Sequence, residues 1–330
     1  MIVEATAPTR IDLAGGTLDI WPLYLFHPGA TTVNVAIDRR AWCRVETGWD
    51  GVRLESADTG RVSEGRDVGE VLAAGELPLL AWLLRALGVE TGVRVATLSR
   101  VPAGSGLGGS SALAVAVAGA LARASGQRLD AERLLPLVRD AEAQCIGVPT
   151  GVQDYLAALH GGVLAVRLEP GRVEVESLAG AAGMIEERLL LVDAGATRFS
   201  GLNNWEVFKA RIEGEERVGA ALSEIAALAR ELCGALRAGN APAVGALLRR
   251  EWEARKRLAP AVTTPEVDRI VEIALDAGGA AKVCGAGGGG MVAVWDAGGR
   301  GAGLVQALGG AGFALVPFRV DPAGLAVTSV

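Results

Sequence analysis

The sequence predicts an α+β protein of two domains, and three observations carry that expectation. At 330 residues the chain is longer than one hydrophobic core usually serves. Its first half reads as apolar, β-branched segments followed by helices, while its second half reads β, helices, β, β, helix, β, the order of a ferredoxin-like split βαβ layer. Hydrophobic residues make up 50% and Gly occurs 46 times without a Gly-X-Y period, a globular composition. The boundary is expected near Gly180 to Ile185, giving units 1–183 and 184–330.

In order, strands are predicted at Ile2 to Leu13, Thr31 to Ile37, Ala41 to Thr47 and Val52 to Glu55, each bounded by turn residues. A helix follows over Leu77 to Leu87, then a strand at Val93 to Val101. Helices are predicted at Ser111 to Ser125, Ala131 to Ile146 and Val152 to His160. A hairpin pairs Val163 to Leu168 with Val173 to Ser177 around Glu169-Pro170-Gly171-Arg172. In the second unit, Arg188 to Asp193 is a strand, long helices fill Asn204 to Leu258, and another spans Pro265 to Ala277. Strands at Ala281 to Cys284, Met291 to Trp295 and Phe313 to Val320, with a helix near Leu304 to Leu308, complete it.

Two loops stand out. Pro102-Ala103-Gly104-Ser105-Gly106-Leu107-Gly108-Gly109-Ser110-Ser111-Ala112 places glycines directly before an alanine-rich helix. Glycine lets the backbone approach an anion, and a helix start supplies unpaired amides and partial positive charge. The spacing of Gly104, Gly106 and Gly109 also satisfies GxGxxG, but a dinucleotide site needs a second strand ending in an acid about 20 residues on, and Gln127-Arg128-Leu129 before Asp130 is too short and polar. The common P-loop is excluded because Ser110 stands where its Lys should be. The second loop, Gly285-Ala286-Gly287-Gly288-Gly289-Gly290, is longer than a hairpin needs, which suggests close approach of a ligand or of the other domain.

Four charged residues could do chemistry. Glu142 falls within the apolar stripe of Leu134, Leu135, Val138, Ala141 and Cys145, so it is either a buried Mg²⁺ ligand or an edge residue paired with Arg133 or Arg139. Asp154 opens a helix after Gly147-Val148-Pro149-Thr150-Gly151, where an acid also suits the helix dipole and Thr150 with Gln153 has capping-box spacing. Arg10 and Asp19 flank a strand that ends in Gly15-Gly16-Thr17; they are either surface charges or a grip on a polar ligand. A net charge of −6, from 32 basic and 38 acidic residues intermixed, offers no stripe for nucleic acid or membrane. The longest apolar run, Ala112 to Ala122, is too short to span a bilayer and the N-terminus lacks a leader pattern, so a cytoplasmic protein with small-molecule partners is expected. Cys43, Cys145, Cys233 and Cys284 lie far apart and only His27 and His160 are present, which argues against a zinc or disulfide framework. A homodimer is left open.

Together these segments resemble the GHMP kinase superfamily. Pro102 to Ala112 is similar to its PxxxGLGSSA motif with one extra residue, Gly285 to Gly290 to its GAGGGG motif, and Gly147 to Asp154 to the GxPxGxxD segment of the galactokinase branch. Arg10 to Asp19 matches that branch's first motif in spacing, with Gly16 and Thr17 where galactokinases place Glu and His. The Ala-Gly-Gly run and Gly29 to Asp38 look more like bacterial heptose 7-phosphate kinases, although their GGGTD reads Gly-Gly-Thr-Leu-Asp here. The resemblance implies a GHMP kinase-like fold, with an N-terminal mixed βαβ domain for ATP and Mg²⁺ and a C-terminal ferredoxin-like domain. It implies that Pro102, Gly104, Ser105, Gly106, Leu107, Gly108, Gly109, Ser110 and Ser111 cradle ATP, and that Ser110 or Ser111 with Glu142 holds Mg²⁺. Asp154 would be the base or orienting carboxylate, with Arg10 beside it. Asp19, Thr17, Gly16, Gly151, Gly287 and Gly288 would surround a sugar or sugar phosphate. Arg198, Ser200, Asn203 and Asn204 offer further polar groups for that substrate, or simply a helix start. A ligand sensor that retains the fold without catalysis, and a mevalonate-route enzyme on the same scaffold, are the alternatives.

Overall fold

The computed structural model describes residues 1–195, 200–299 and 301–330, with 200–203 described by backbone alone. At its centre β1 (Ile2–Ala14) and β2 (Thr31–Thr47) run antiparallel, from Ile2 opposite Glu46 to Ala14 opposite Val33. β2 was expected as two segments, yet it is continuous. The polar stretch Asp38-Arg39-Arg40 is absorbed where the register shifts at Pro8/Thr9, a bulge that turns those side chains outward without ending the pairing.

β3 (Val52–Ser56), β4 (Arg61–Gly65), α1 (Val68–Ala74), α2 (Pro78–Ala86) and β5 (Val93–Leu98) extend this sheet and cover it. Sequence reading missed β4, whose Arg-Val-Ser-Glu-Gly holds one apolar residue and pairs only because the tight turn returns it to β3. It also missed α1, a short helix fixed by its ends: Asp67 accepts the Glu70 N–H, and Gly75 closes it at φ 70°. α3 (Gly109–Ala124), α4 (Ala131–Ile146) and α5 (Gln153–His160) follow, then the hairpin β6 (Val163–Glu169) and β7 (Arg172–Ser177). Strands run in the order β1-β2-β5-β3-β4, with β6 pairing to the first part of β2 and β7 to β6. Small residues let α3 sit flat on β1 and β2, with Ser111, Ala112 and Ala114 to Ala122 all buried.

The second layer comprises α6 (Ala182–Arg188), β8 (Leu189–Asp193), α7 (Ser200–Ile212), α8 (Glu216–Arg237), α9 (Ala241–Lys256), α10 (Pro265–Asp276), β9 (Ala280–Val283), β10 (Met291–Trp295), α11 (Ala302–Gly310) and β11 (Ala314–Leu315). Its antiparallel sheet has the order β11-β8-β10-β9. Counted from its own first strand this is 4-1-3-2, the ferredoxin-like arrangement the element order implied. The strand expected over Phe313 to Val320 pairs with β8 only at Ala314 and Leu315, because Pro317 has no N–H for the ladder.

From there the chain returns to the first layer. Val320 bridges Ile37, and β12 (Ala326–Ser329) pairs antiparallel with β1. The unit expected at 184–330 therefore gives its last residues to the N-terminal sheet. One hydrophobic core runs between the layers, joining Ile11, Leu13, Val33 and Val35 to Leu222, Ile225 and Leu228 of α8. Among the described residues, no helix is long and apolar enough to cross a membrane.

Candidate active site

Strand alternation sets the first part of the site. Ile11 and Leu13 of β1 enter the core, so Arg10 and Asp12 point to the opposite face. Past the strand, Gly15 (φ 87°) passes so close to β2 that a Cβ would lie 2.0 Å from the Thr31 carbonyl oxygen. Thr17 has φ 80°, an outlying conformation for a β-branched residue. Its Oγ1 donates to Asn204 Oδ1 at 2.9 Å, tying this loop to α7. Of the polar groups considered near that helix, Arg198 lies outside the described residues, as do the side chains of Ser200 and Asn203.

The phosphate-type loop ends with Gly108 in the left-handed conformation and no side-chain cap on α3, leaving the first amides of that helix to face the cavity. Arg10 donates from Nε and Nη2 to Asp154 Oδ1, both at 2.6 Å, and from Nη1 to the Gly106 carbonyl at 2.5 Å. The capping duty that could have explained Asp154 falls elsewhere. Asp19 Oδ2 accepts the Gln153 N–H at 2.9 Å, and Thr150 pairs its hydroxyl with Tyr155 Oη at 2.9 Å. Asp154 is therefore released to Arg10 and the cavity.

Glu142 is buried, as its stripe predicted, and its partners are hydroxyls instead of Arg133 or Arg139. Ser111 Oγ donates to its Oε2 at 2.9 Å and Tyr155 Oη at 2.7 Å. Burial raises the Glu142 pKa, and hydrogen bonds from Ser110, Tyr155 and Ser111 only partly counter this. Burial pushes the Arg10 pKa down, but Asp154 and Asp12 overcome it and leave the guanidinium raised. Asp19 is pushed up to about 6, chiefly by burial, with the Gln153 N–H opposing and Asp154 and Asp12 adding repulsion.

These groups meet in one cavity of about 450 Å³. From Pro102 to Ser111, every predicted cradle residue lines it except Leu107, which is buried and offers its carbonyl to the Arg10 N–H at 2.9 Å. Gly16, Thr17, Asp19 and Gly151 also line it. Gly287 and Gly288 do not: they pack on Val262, whose carbonyl accepts the Gly288 N–H at 2.9 Å and would lie 2.3 Å from a Cβ on Gly287. The second glycine loop reaches the cavity through Gly285 and Ala286 instead.

The raised Asp19 pKa bears on stability. Its carboxyl titrates from 3.8 in the unfolded chain to about 6 in the fold, so the folded state binds the proton more tightly and stability falls as pH rises through that window. Asp19→Asn is therefore expected to stabilise the protein at pH 7 by up to about 3 kcal/mol. Thermal melts of wild type and variant at pH 7 check this, and a variant no more stable than wild type there would overturn it.

Sequence reading missed Tyr155, which orients Glu142, and a buried charge group beneath Gly16 made of Asp12, Glu251, Arg255 and Lys282. The spacing of thirteen residues between Glu142 and Tyr155 carries no local signal.

Comparison with known proteins bears on the same segments. The family model for the GHMP kinases N terminal domain matches residues 77–162, and that for GHMP kinases C terminal matches residues 232–296. The chain is 28% identical over 296 residues to the D-glycero-alpha-D-manno-heptose 7-phosphate kinase of Campylobacter jejuni, covering 86% of each. It is 32% identical over 207 residues to the galactokinase of Mycobacterium bovis, covering 59% of this chain and 54% of that one. The crystal structure of a D-glycero-D-manno-heptose 1-phosphate kinase from Bacteroides thetaiotaomicron superposes with a TM-score of 0.79 at 23% identity, covering 99% of both chains, a likeness of fold.

Proposed function

The chain belongs to the GHMP kinases, and on that premise we propose that it transfers the γ-phosphate of ATP to a hydroxyl of a sugar or sugar phosphate. The observation that carries this reading is the Arg10–Asp154 pair, 2.6 Å apart, set directly against the phosphate-type loop in one cavity: the Gly106 carbonyl accepts from Arg10 and Gly108 packs on Asp154. Phosphoryl transfer asks a protein chiefly to position reactants and to meet developing charge. Asp154 orients the acceptor hydroxyl and takes its proton. Arg10 holds that carboxylate in place through its Nε and Nη2 and faces the charge that develops on the reacting oxygens. The amides opening α3 hold the phosphates, and Asp19 and Thr17 meet the acceptor's other hydroxyls.

The residues present also suit a hard divalent cation. Glu142 is a buried carboxylate on the cavity wall surrounded by hydroxyl oxygens, a donor set that favours Mg²⁺. Both serines hydrogen-bond Glu142, but Ser111 is buried while Ser110 is exposed at the cavity, so we assign the metal to Glu142 and Ser110. When bound there, Mg²⁺ would neutralise phosphate charge and fix the nucleotide's orientation. Glu142→Gln is expected to raise the Mg²⁺ concentration needed for half-maximal turnover by about 10-fold or more. A Mg²⁺ titration checks this, and an unshifted midpoint would move the metal elsewhere.

The activity itself is tested by ADP release across a panel of sugars and sugar phosphates, with the product's phosphate located by NMR. Turnover on one of them is expected. A folded chain that binds ATP yet turns over none of them would favour the sensor reading.

A further inference from the structure

Directly beneath Gly16, four charged side chains share one spot, each no more than 1% exposed: Asp12 on β1, Glu251 and Arg255 on α9, and Lys282 on β9. Lys282 Nζ donates to the Asp12 carbonyl at 3.1 Å and to Asp12 Oδ2 at 3.2 Å, and lies 3.5 Å from Glu251 Oε1. Arg255 grips Glu251 Oε1 from Nε at 2.9 Å and from Nη2 at 2.5 Å. The charges cancel, but the fit is incomplete, because Asp12 Oδ1 and Glu251 Oε2 have no partner. A buried ionic group of this kind is a poor source of stability compared with apolar residues of the same volume. Some other use has to account for it.

Three of its members, Asp12, Arg255 and Lys282, sit next to segments that line the cavity. Asp12 follows Arg10 on the same face of β1. Arg255 Nη2 donates to the Gly16 carbonyl at 3.2 Å, holding the Gly15-Gly16-Thr17 turn from behind. Lys282 precedes Cys284, whose carbonyl oxygen packs so closely on Gly106 that a Cβ there would lie 2.0 Å away. The group thus joins the turn on the acceptor side to the glycine loops on the phosphate side through three elements that are otherwise far apart in the chain. Resting on the kinase reading above, we propose that Arg255 and Lys282 are positioning residues: they fix the Gly15–Asp19 turn relative to the phosphate loop, so that the acceptor hydroxyl meets Asp154 in line with the nucleotide. Misplacement of reacting groups by about 1 Å costs on the order of 100-fold in rate, which is the size of effect such a device controls.

The test replaces one ion pair without leaving a lone charge, as Glu251→Leu with Arg255→Met, beside the conservative Arg255→Lys, which keeps the charge but not the planar fork that spans Glu251 and Gly16. Thermal melts, KM for ATP, KM for the acceptor and kcat are read for each. The expected result is a melting temperature equal to or above wild type for the double variant and, for both variants, an ATP KM within about twofold, with the acceptor KM raised and kcat lowered roughly 10- to 100-fold. A lowered melting temperature with kcat and acceptor KM unchanged in either variant would make the group merely structural. Should the double variant fail to fold, Arg255→Lys decides by the same readings. If the wild type turns over no sugar, the kinase reading fails and takes this one with it; if the wild type is active and the variants match it, this one fails alone.

Discussion

Asp154→Asn is expected to lower kcat by about three orders of magnitude while leaving ATP affinity within a few-fold of wild type. Asn keeps the shape and an oxygen for Arg10 Nε and Nη2, both 2.6 Å away, so the wall of the cavity stays in place. What is lost is the charge that draws the acceptor's proton and balances the guanidinium. Arg10 is buried, and part of what keeps it protonated is Asp154 itself. Removing one partner of a buried pair costs about 3–5 kcal/mol, and the lower end applies because the Asp154 side chain is 23% exposed. A melt is therefore run beside the kinetics, at a temperature where the variant is folded. Single-turnover ADP formation, with ATP binding followed by calorimetry, separates chemistry from binding. Turnover within tenfold of wild type would sink the role given to Asp154.

Much of this geometry was legible because it is encoded in short segments. The glycine loop before α3, the stripe that buries Glu142 and the turn before Asp154 are each local patterns, and the structure brings their side chains into one cavity. Asp154 was ambiguous for a reason that only tertiary structure removes: a distant residue, Asp19, takes the capping duty at Gln153. Asp12, Lys282 and Arg255 were invisible as a group, since Asp12 to Lys282 spans 270 residues and Arg255 to Gly16 spans 239. The only local trace was the four-residue step from Glu251 to Arg255, which in an isolated helix reads as a solvated surface pair. The return of the chain as β12 escaped notice similarly, because Ala326–Ser329 is mostly exposed and gains its strand state from β1.

Gly106→Ala is expected to damage fold and catalysis together, and the two losses share one cause. Gly106 has φ 79°, a conformation that costs an L residue about 1–2 kcal/mol. A Cβ would also lie 2.0 Å from the Cys284 carbonyl oxygen and 3.0 Å from its carbon. That backbone has no room to yield. The Cys284 N–H donates to Met291 at 2.8 Å, the Met291 N–H donates to Ser105 at 2.9 Å, and a Cβ on Gly290 would meet the Ser105 oxygen at 2.7 Å. The two glycine loops are interlocked, so separating them disturbs both layers. A total loss of about 3 kcal/mol or more follows from adding the clash to the backbone strain. The kinetic loss follows from the Gly106 carbonyl, which holds Arg10 Nη1 at 2.5 Å; shifting it turns the guanidinium away from Asp154 and lowers kcat by about 100-fold in the folded fraction. Gly126→Ala is the control, with φ 74° and nothing within 4 Å of an added Cβ. It isolates the backbone cost, about 1 kcal/mol with kcat unchanged. Melts and kcat measured side by side decide the matter, and a Gly106→Ala protein indistinguishable from Gly126→Ala in both would mean that the interlock holds neither the loop nor Arg10.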